Sequence, residues 1–352
     1  MDIDDLERRA GEVLPEFVYD YYRATAGKPE VLRDQTAAWE AIRHRPRILR
    51  NTSAPDTSTI VLGTPIRTPV MVAPMAQQKA ATPRAEVDTA TAAARSGTVI
   101  GVSTHTAVKF EAIQQTGAAW WFQLYVMRDR TLTEALVTRA VAAGARAIIL
   151  TVDITGLAHP RPGSASSVEP AEWITSPAAA RLSNLTPGER ERSRGDGGRL
   201  ARDLGFDAIG WLRERTGLPV VVKGVLRADD AQRAVDAGAA GLVVSTHGGR
   251  GLASAVCSAV ALGEVAAAVG GAAEVYVDSG IRSGIHVASA LALGARAVFV
   301  GRPALWGLAV DGAPGVRRVI EGLTTELVQA MNLLGVASTD EFTPDLIAPA
   351  HR

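Results

Sequence analysis

Eight short apolar runs recur along this chain, each rich in β-branched residues and most followed by a segment of helical periodicity. They fall at 70–73, 99–103, 120–125, 147–152, 220–222, 242–245, 275–278 and 298–300. Most are continuously apolar rather than alternating, the pattern of strands covered on both faces. Intervening segments such as 84–96, 132–143, 228–237 and 284–293 are alanine-rich, with apolar residues at helical spacing. This is an α/β pattern. Eight regular βα units predict a TIM (β/α)8 barrel; a doubly wound sheet is the alternative, but regular repetition favours closure. With 352 residues, 47% of them hydrophobic, the chain can bury one large core and reads as a single domain, 1–352.

One interval between strands is far longer than the rest, from Ala147 to Val220. It contains 158–207, rich in Pro, Ser, Gly and Arg, which is expected to be a lid loop over the C-terminal face after the fourth strand. Residues 1–60 precede the barrel, with helices expected over 4–26 and a wrapping segment after them. Basic and acidic residues number 37 each, so no net field favours nucleic acid or an anionic membrane. The start, MDIDDLERRAGEVL, is acidic and amphipathic, unlike a signal peptide. No charge-free apolar run reaches the roughly 18 residues of a membrane span. A single cysteine, Cys257, excludes an internal disulfide or a cysteine metal cluster. It is expected to be a small core residue, and the protein to be cytoplasmic.

The chemistry-bearing residues cluster where the apolar runs end. Residues 241–244 run into Ser245-Thr246-His247-Gly248-Gly249-Arg250, which delivers a base and a cation three residues apart, with glycines that permit close approach. In parallel α/β proteins the C-terminal strand end is where active sites form. Asp278-Ser279-Gly280-Ile281-Arg282 follows the seventh strand and Gly301-Arg302-Pro303 the eighth, the barrel positions that commonly bind phosphate. Lys223 closes the fifth strand, as a buried functional cation, a Schiff-base lysine or a snorkelling side chain. Gln123 with Tyr125, and Thr151 with Asp153, alternate along their strands and so face one side.

These motifs, in this order and spacing, resemble the FMN-dependent 2-hydroxy-acid oxidases and dehydrogenases, which include glycolate oxidase, lactate oxidase and mandelate dehydrogenase. The resemblance spans about 14–336. It is carried also by Val18-Tyr19-Asp20-Tyr21-Tyr22, Ala73-Pro74-Met75-Ala76 with Gln78-Lys79, Phe122-Gln123-Leu124-Tyr125, Leu150-Thr151-Val152-Asp153 and Val222-Lys223-Gly224-Val225. It implies that His247 is the active-site base, that Asp153 supports it, and that Arg250 and Tyr21 grip a substrate carboxylate. Tyr125 would contact the substrate oxygen, and Lys223 would offset negative charge on the reduced flavin. Ala73, Pro74, Met75, Ala76, Ser103, Gln123, Thr151 and Ser245 would contact the isoalloxazine or ribityl chain. Asp278, Gly280, Arg282, Gly301 and Arg302 would hold the ribityl and phosphate. The implied reaction takes a 2-hydroxy acid to a 2-keto acid, with dioxygen reoxidising FMN to give hydrogen peroxide. A dehydrogenase with another acceptor, or a flavin-binding module without turnover, are the alternatives. A homotetramer is implied as well.

The chain departs from the family pattern at three places. Where an arginine pair is usual after the fourth strand stand His159 and Pro160, with Arg161 one residue beyond as the substitute. Gly251-Leu252-Ala253 lacks the usual acidic residue. His105 occupies a position over the substrate, where it widens the pocket, binds a polar substrate or faces solvent. Together these predict a substrate that is aryl or otherwise bulky rather than glycolate.

Overall fold

The computed structural model describes residues 2–154 and 182–349. A two-stranded antiparallel hairpin comes first, β1 (Thr59–Val61) and β2 (Thr64–Ile66). Eight parallel strands follow: β3 (Val70–Met75), β4 (Val99–Ser103), β5 (Ala119–Leu124), β6 (Ile148–Thr151), β7 (Val220–Val225), β8 (Gly241–Val244), β9 (Glu274–Val277) and β10 (Ala297–Val300). They close in sequence order, β10 pairing with β3, so the barrel expected from eightfold repetition is the fold. The predicted helices are found at Glu86–Ser96, Arg130–Ala142, Ala228–Asp236 and Gly284–Ala292.

Two cores follow from the two faces of each strand, because successive side chains point to opposite sides. Trp120, Phe122 and Leu124 face outward into the strand–helix layer, with Ile100, Val102, Leu242 and Val244 from neighbouring strands. Trp121, Val221, Val243, Tyr276 and Phe299 face inward and fill the lower barrel, with Val61 and Ile66 of the hairpin closing its N-terminal end. The Glu274 carboxylate pins that hairpin by accepting the Leu62 N–H at 3.1 Å.

The N-terminal segment contains α1 (Ile3–Val13) and α2 (Glu16–Arg23), as expected. It also contains α3 (Glu30–Glu40), a third helix in what read as a wrapping stretch. Within the expected loop 158–207, residues from 182 onward are structured. Pro187–Ser193 is a helix with a Thr186–Glu189 capping box, and Glu189 pairs with Arg139 at 2.8 Å. The Asn184 side chain accepts the Phe110 N–H and donates to the Val108 carbonyl. This half of the segment is therefore docked on the barrel wall. The part of the expected lid that includes His159, Pro160 and Arg161 lies outside the described residues. Cys257 is not a core residue: it is partly exposed at the N-cap of the helix Ser258–Val269. Its Sγ lies 3.7 Å from the Asp34 carbonyl of α3, so it sits where that helix meets the surface and not inside the strand–helix core. No described helix is long and apolar enough to cross a membrane.

Candidate active site

Carrying the inward parity past the lower core brings polar side chains to the C-terminal ends of the strands. Trp121 is followed inward by Gln123 and then Tyr125, Ile149 by Thr151 and Asp153, Val221 by Lys223, and Val243 by Ser245 and His247. Lys223 is buried, but Tyr125, Asp153 and His247 are only partly so, as are Pro74, Met75 and Ala76 at the end of β3, so these line the open mouth of the barrel.

His247 sits at the centre. Its Nδ1 lies 2.8 Å from Asp153 Oδ1, and its Nε2 lies 3.4 Å from the Tyr125 hydroxyl. Burial pushes the Asp153 carboxyl up, but the charges of His247 and Lys223 and the hydrogen bond to His247 outweigh it, and Asp153 stays below the usual carboxylate range. An ionised Asp153 accepts a proton-bearing Nδ1, which leaves the Nε2 lone pair facing the mouth as a base. The Tyr125 hydroxyl is raised above its ordinary range, first by burial and then by the Asp153 charge, so it remains a hydrogen-bond donor. The His105 ring lies 5.8 Å from that of Tyr125, on the same side of the mouth.

Arg250 stacks its guanidinium 4.9 Å above the Tyr21 ring and donates to the carbonyls of Tyr21 and Tyr22, at the C-terminal end of α2. A helix C-terminus favours a cation there. The two residues expected to grip a carboxylate are thus brought together.

Lys223 is buried and paired: its Nζ lies 3.1 Å from Asp278 Oδ2 and donates to Ser245 Oγ at 2.8 Å. Burial lowers this ammonium, yet Asp278 and Asp153 more than compensate and hold it above the ordinary lysine range. It is therefore a fixed charge, neither a snorkelling side chain nor a neutral amine ready for Schiff-base formation. Ser103, Gln123 and Thr151 form a ladder across β4, β5 and β6. Ser103 donates to Gln123 Oε1 at 3.3 Å, and Gln123 Nε2 donates to Thr151 Oγ1 at 3.0 Å.

Whether these residues suit FMN is tested most directly by the arginines. Arg302 donates to the carbonyls of Tyr22 and Ala24 at 3.0 and 2.9 Å, and Arg282 to that of Ile281 at 2.8 Å. Neither has a carboxylate within ion-pair distance among the described residues. Desolvation, then repulsion from Arg250 and Arg282, drives Arg302 well below the ordinary guanidinium range, and desolvation lowers Arg282 as well. A guanidinium does not give up its proton in a protein, so these strained cations call for an anion, as a phosphate supplies. Gly248 makes room there: it has φ +62°, and a Cβ on it would lie 2.5 Å from the Arg302 guanidinium. A Cβ on Gly301 would meet Ala73 and Met75 only at an ordinary contact distance of 3.8 Å, so this glycine borders the end of β3. One oxygen of Asp153, Oδ2, is buried with no hydrogen-bond partner among the described residues. The site as a whole fits FMN.

Some site residues carried no signal in the sequence. Gln35 of α3 accepts from the Thr246 hydroxyl at 3.1 Å, and Trp39 donates to the Ser279 carbonyl at 2.8 Å, so the segment read as wrapping braces two strand-end loops. A Cβ on Gly280, at φ +82°, would lie 2.3 Å from the Gln35 carbonyl oxygen. Glu86, wholly buried, accepts the Ala107 N–H at 3.3 Å and anchors the loop that bears His105. Burial pushes its carboxyl up to about 7.

Comparison with known proteins agrees with this geometry. The FMN-dependent dehydrogenase family model matches residues 10–349. The chain is 42% identical to an L-lactate oxidase of Nostoc sp., over 96% of this chain and 95% of that protein. It is 40% identical to a 4-hydroxymandelate oxidase of Amycolatopsis orientalis, over 95% and 94%. A crystal structure of mandelate oxidase superposes with a TM-score of 0.88 at 37% identity, covering 99% of this chain and 97% of that one. These matches define the class: an FMN-binding oxidoreductase barrel. The chain belongs to the FMN-dependent dehydrogenase family.

Proposed function

We propose that this protein oxidises a 2-hydroxy acid to the 2-keto acid and passes the electrons to dioxygen, giving hydrogen peroxide. The observation that carries the reading is the Asp153–His247–Tyr125 constellation at the barrel mouth, flanked by Lys223 and three arginines. When bound, FMN supplies the two-electron acceptor. Arg282 and Arg302 would hold its phosphate with Gly280 and Gly301, Asp278 its ribityl hydroxyls, and the Ser103–Gln123–Thr151 ladder with Ala73–Ala76 its ring system.

The chain's own residues do the rest. His247 Nε2 takes a proton from the substrate, and Asp153 stabilises the imidazolium that forms. Tyr125 donates to the substrate oxygen. Arg250 has donors beyond those committed to Tyr21 and Tyr22, and with Tyr21 it orients the carboxylate. Lys223 places a fixed positive charge where negative charge accumulates. A bulky or aryl substrate is supported by the aromatic His105–Tyr125 pair beside His247 and by the mandelate-acting relatives. The homotetramer is read from the family resemblance, with the exposed Leu252, Val256 and Val260 as apolar surface available to a second copy, and a cytoplasmic location is supported by the single cysteine, Cys257, which forms no disulfide.

The test is anaerobic mixing of the purified yellow protein with 2-hydroxy acids from glycolate to mandelate and bulkier analogues. Bleaching of the flavin band by one class, followed by peroxide on admitting air, is the expected result. Bleaching without peroxide would replace the oxidase by a dehydrogenase. A flavin that none of them reduces would overturn the reading.

A further inference from the structure

Ser279 stands at φ +73°, in the left-handed region where residues other than glycine are uncommon. It faces the turn of His247, Gly248 and Gly249, whose φ values are +54°, +62° and +76°. Two left-handed turns, from the ends of β8 and β9, thus lie against each other. A serine held in this conformation raises the question of what its side chain does. Its Oγ donates to Asp278 Oδ1 at 2.7 Å, accepts the Gly248 N–H at 3.1 Å, and accepts the Thr246 N–H more loosely at 3.4 Å. Its carbonyl accepts from the Trp39 indole at 2.8 Å and the Ser258 hydroxyl at 3.1 Å, which fixes the turn in place.

These contacts close a circuit. Asp278 Oδ2 meets Lys223, Lys223 donates to Ser245 Oγ, and the same oxygen accepts the His247 N–H at 3.0 Å. From His247 the circuit returns through the Gly248 N–H to Ser279 Oγ. The turn that carries the base is pinned on one side by Ser245 and on the other by Ser279, and both arms lead to the Asp278 carboxylate. Without the Ser279 hydroxyl, only the Ser245 arm remains.

We propose that Ser279 is a positioning residue, whose hydroxyl couples the His247 turn to the Asp278–Lys223 pair and so sets the imidazole against the substrate. It acts through His247 and rests on the reading of His247 as the base. The backbone conformation is retained for the sake of that hydroxyl, since glycine would adopt it without strain.

Ser279→Gly is the informative variant, because it removes the hydroxyl while relieving the backbone. In the holoenzyme it should melt no lower than the parent and keep its FMN. Amide exchange across residues 244–250, read by mass spectrometry, should quicken on the order of tenfold, as expected for the loss of a hydrogen bond. Anaerobic flavin reduction by (S)-mandelate should fall by a similar factor at saturation, with KM little changed. Ser279→Ala, which keeps the backbone stiff, should show the same exchange and rate losses with a lower melting midpoint; if it does not fold, the glycine variant decides alone. Unchanged exchange, or an unchanged saturating rate, in Ser279→Gly overturns the proposal. So does a rate loss that appears only together with lost FMN or a lowered melting midpoint, since that is a purely structural role. If (S)-mandelate does not reduce the parent flavin, the rate is read with the 2-hydroxy acid that does; if none from glycolate to bulkier analogues reduces it, the functional reading is what fails, and the exchange measurement still decides the coupling.

Discussion

The lower and upper halves of the barrel interior are built by the same strands with the same inward alternation, yet their side chains meet opposite demands. Below, Trp121, Tyr276 and Phe299 pack edge to face, with ring centroids 5.3 to 6.1 Å apart, and are sealed by Val61 and Ile66. Above, the same alternation supplies Gln123, Thr151, Lys223, Ser245 and His247. The lower half is stabilised by excluding water and filling space. The upper half keeps ionised groups together and, among the described residues, leaves Asp153 Oδ2 without a hydrogen bond and Arg282 and Arg302 without a carboxylate. Strength and chemistry are thus separated by about two residues of strand, roughly 7 Å of rise.

That separation can be broken by substitution. The largest effect is expected at the top: His247→Ala should retain FMN and melt near the parent midpoint, yet lose about 10²–10⁴-fold in flavin reduction, measured by anaerobic stopped flow. Full reduction by this variant would remove His247 from the mechanism. At the bottom, Trp121→Ala should cost about 3–5 kcal/mol in urea unfolding, through the cavity it leaves. Its reduction rate per folded molecule should change far less than its stability; the reverse result would merge the two halves. Next comes Arg302→Ala, expected to weaken FMN binding by about 1.5–3 kcal/mol, read by fluorescence titration of the apoprotein, as for a lost charge-assisted hydrogen bond. Unchanged affinity would assign the phosphate elsewhere.

A last test, which touches neither the base nor the packed lower core, sharpens the comparison through pH. Burial raises Glu86 from 4.5 to about 7, so between those values the folded chain holds a proton that the unfolded chain has released. Stability therefore falls as pH rises through this window, and the loss is complete above it. Glu86→Gln should be more stable than the parent at pH 8, by at most about 3 kcal/mol, with a correspondingly higher melting midpoint, and should melt near the parent at pH 4.5. Equal melting at both values would mean that the carboxylate is compensated in the fold.

Much of this architecture was legible in the residues. Continuous β-branched runs alternating with alanine-rich segments specify strands covered on both faces, and their number specified closure. The candidate site was legible for the same reason: period-two alternation places Gln123 with Tyr125 and Thr151 with Asp153 on the inner face wherever the strand runs. Less was legible where side chains act across the fold. Asp278 read as a ribityl ligand, and its pairing with Lys223 emerged only once β7 and β9 lay in one barrel. Cys257 read as core because free cysteines are usually buried, but it stands at a helix N-terminus, partly exposed beside the Asp34 carbonyl. Helix α3 gave no functional signal, although Gln35 and Trp39 brace the loops at Thr246 and Ser279.

Local pattern by itself determined the class of fold, the strand ends that carry chemistry, and the residue types found there. Only the tertiary structure decided which groups share a proton or a charge: Asp153 with His247, Lys223 with Asp278, Ser279 with Gly248. The physical reason is range. Alternation and propensity act between near neighbours in the chain, whereas these pairs span 94, 55 and 31 residues and meet only because the barrel closes.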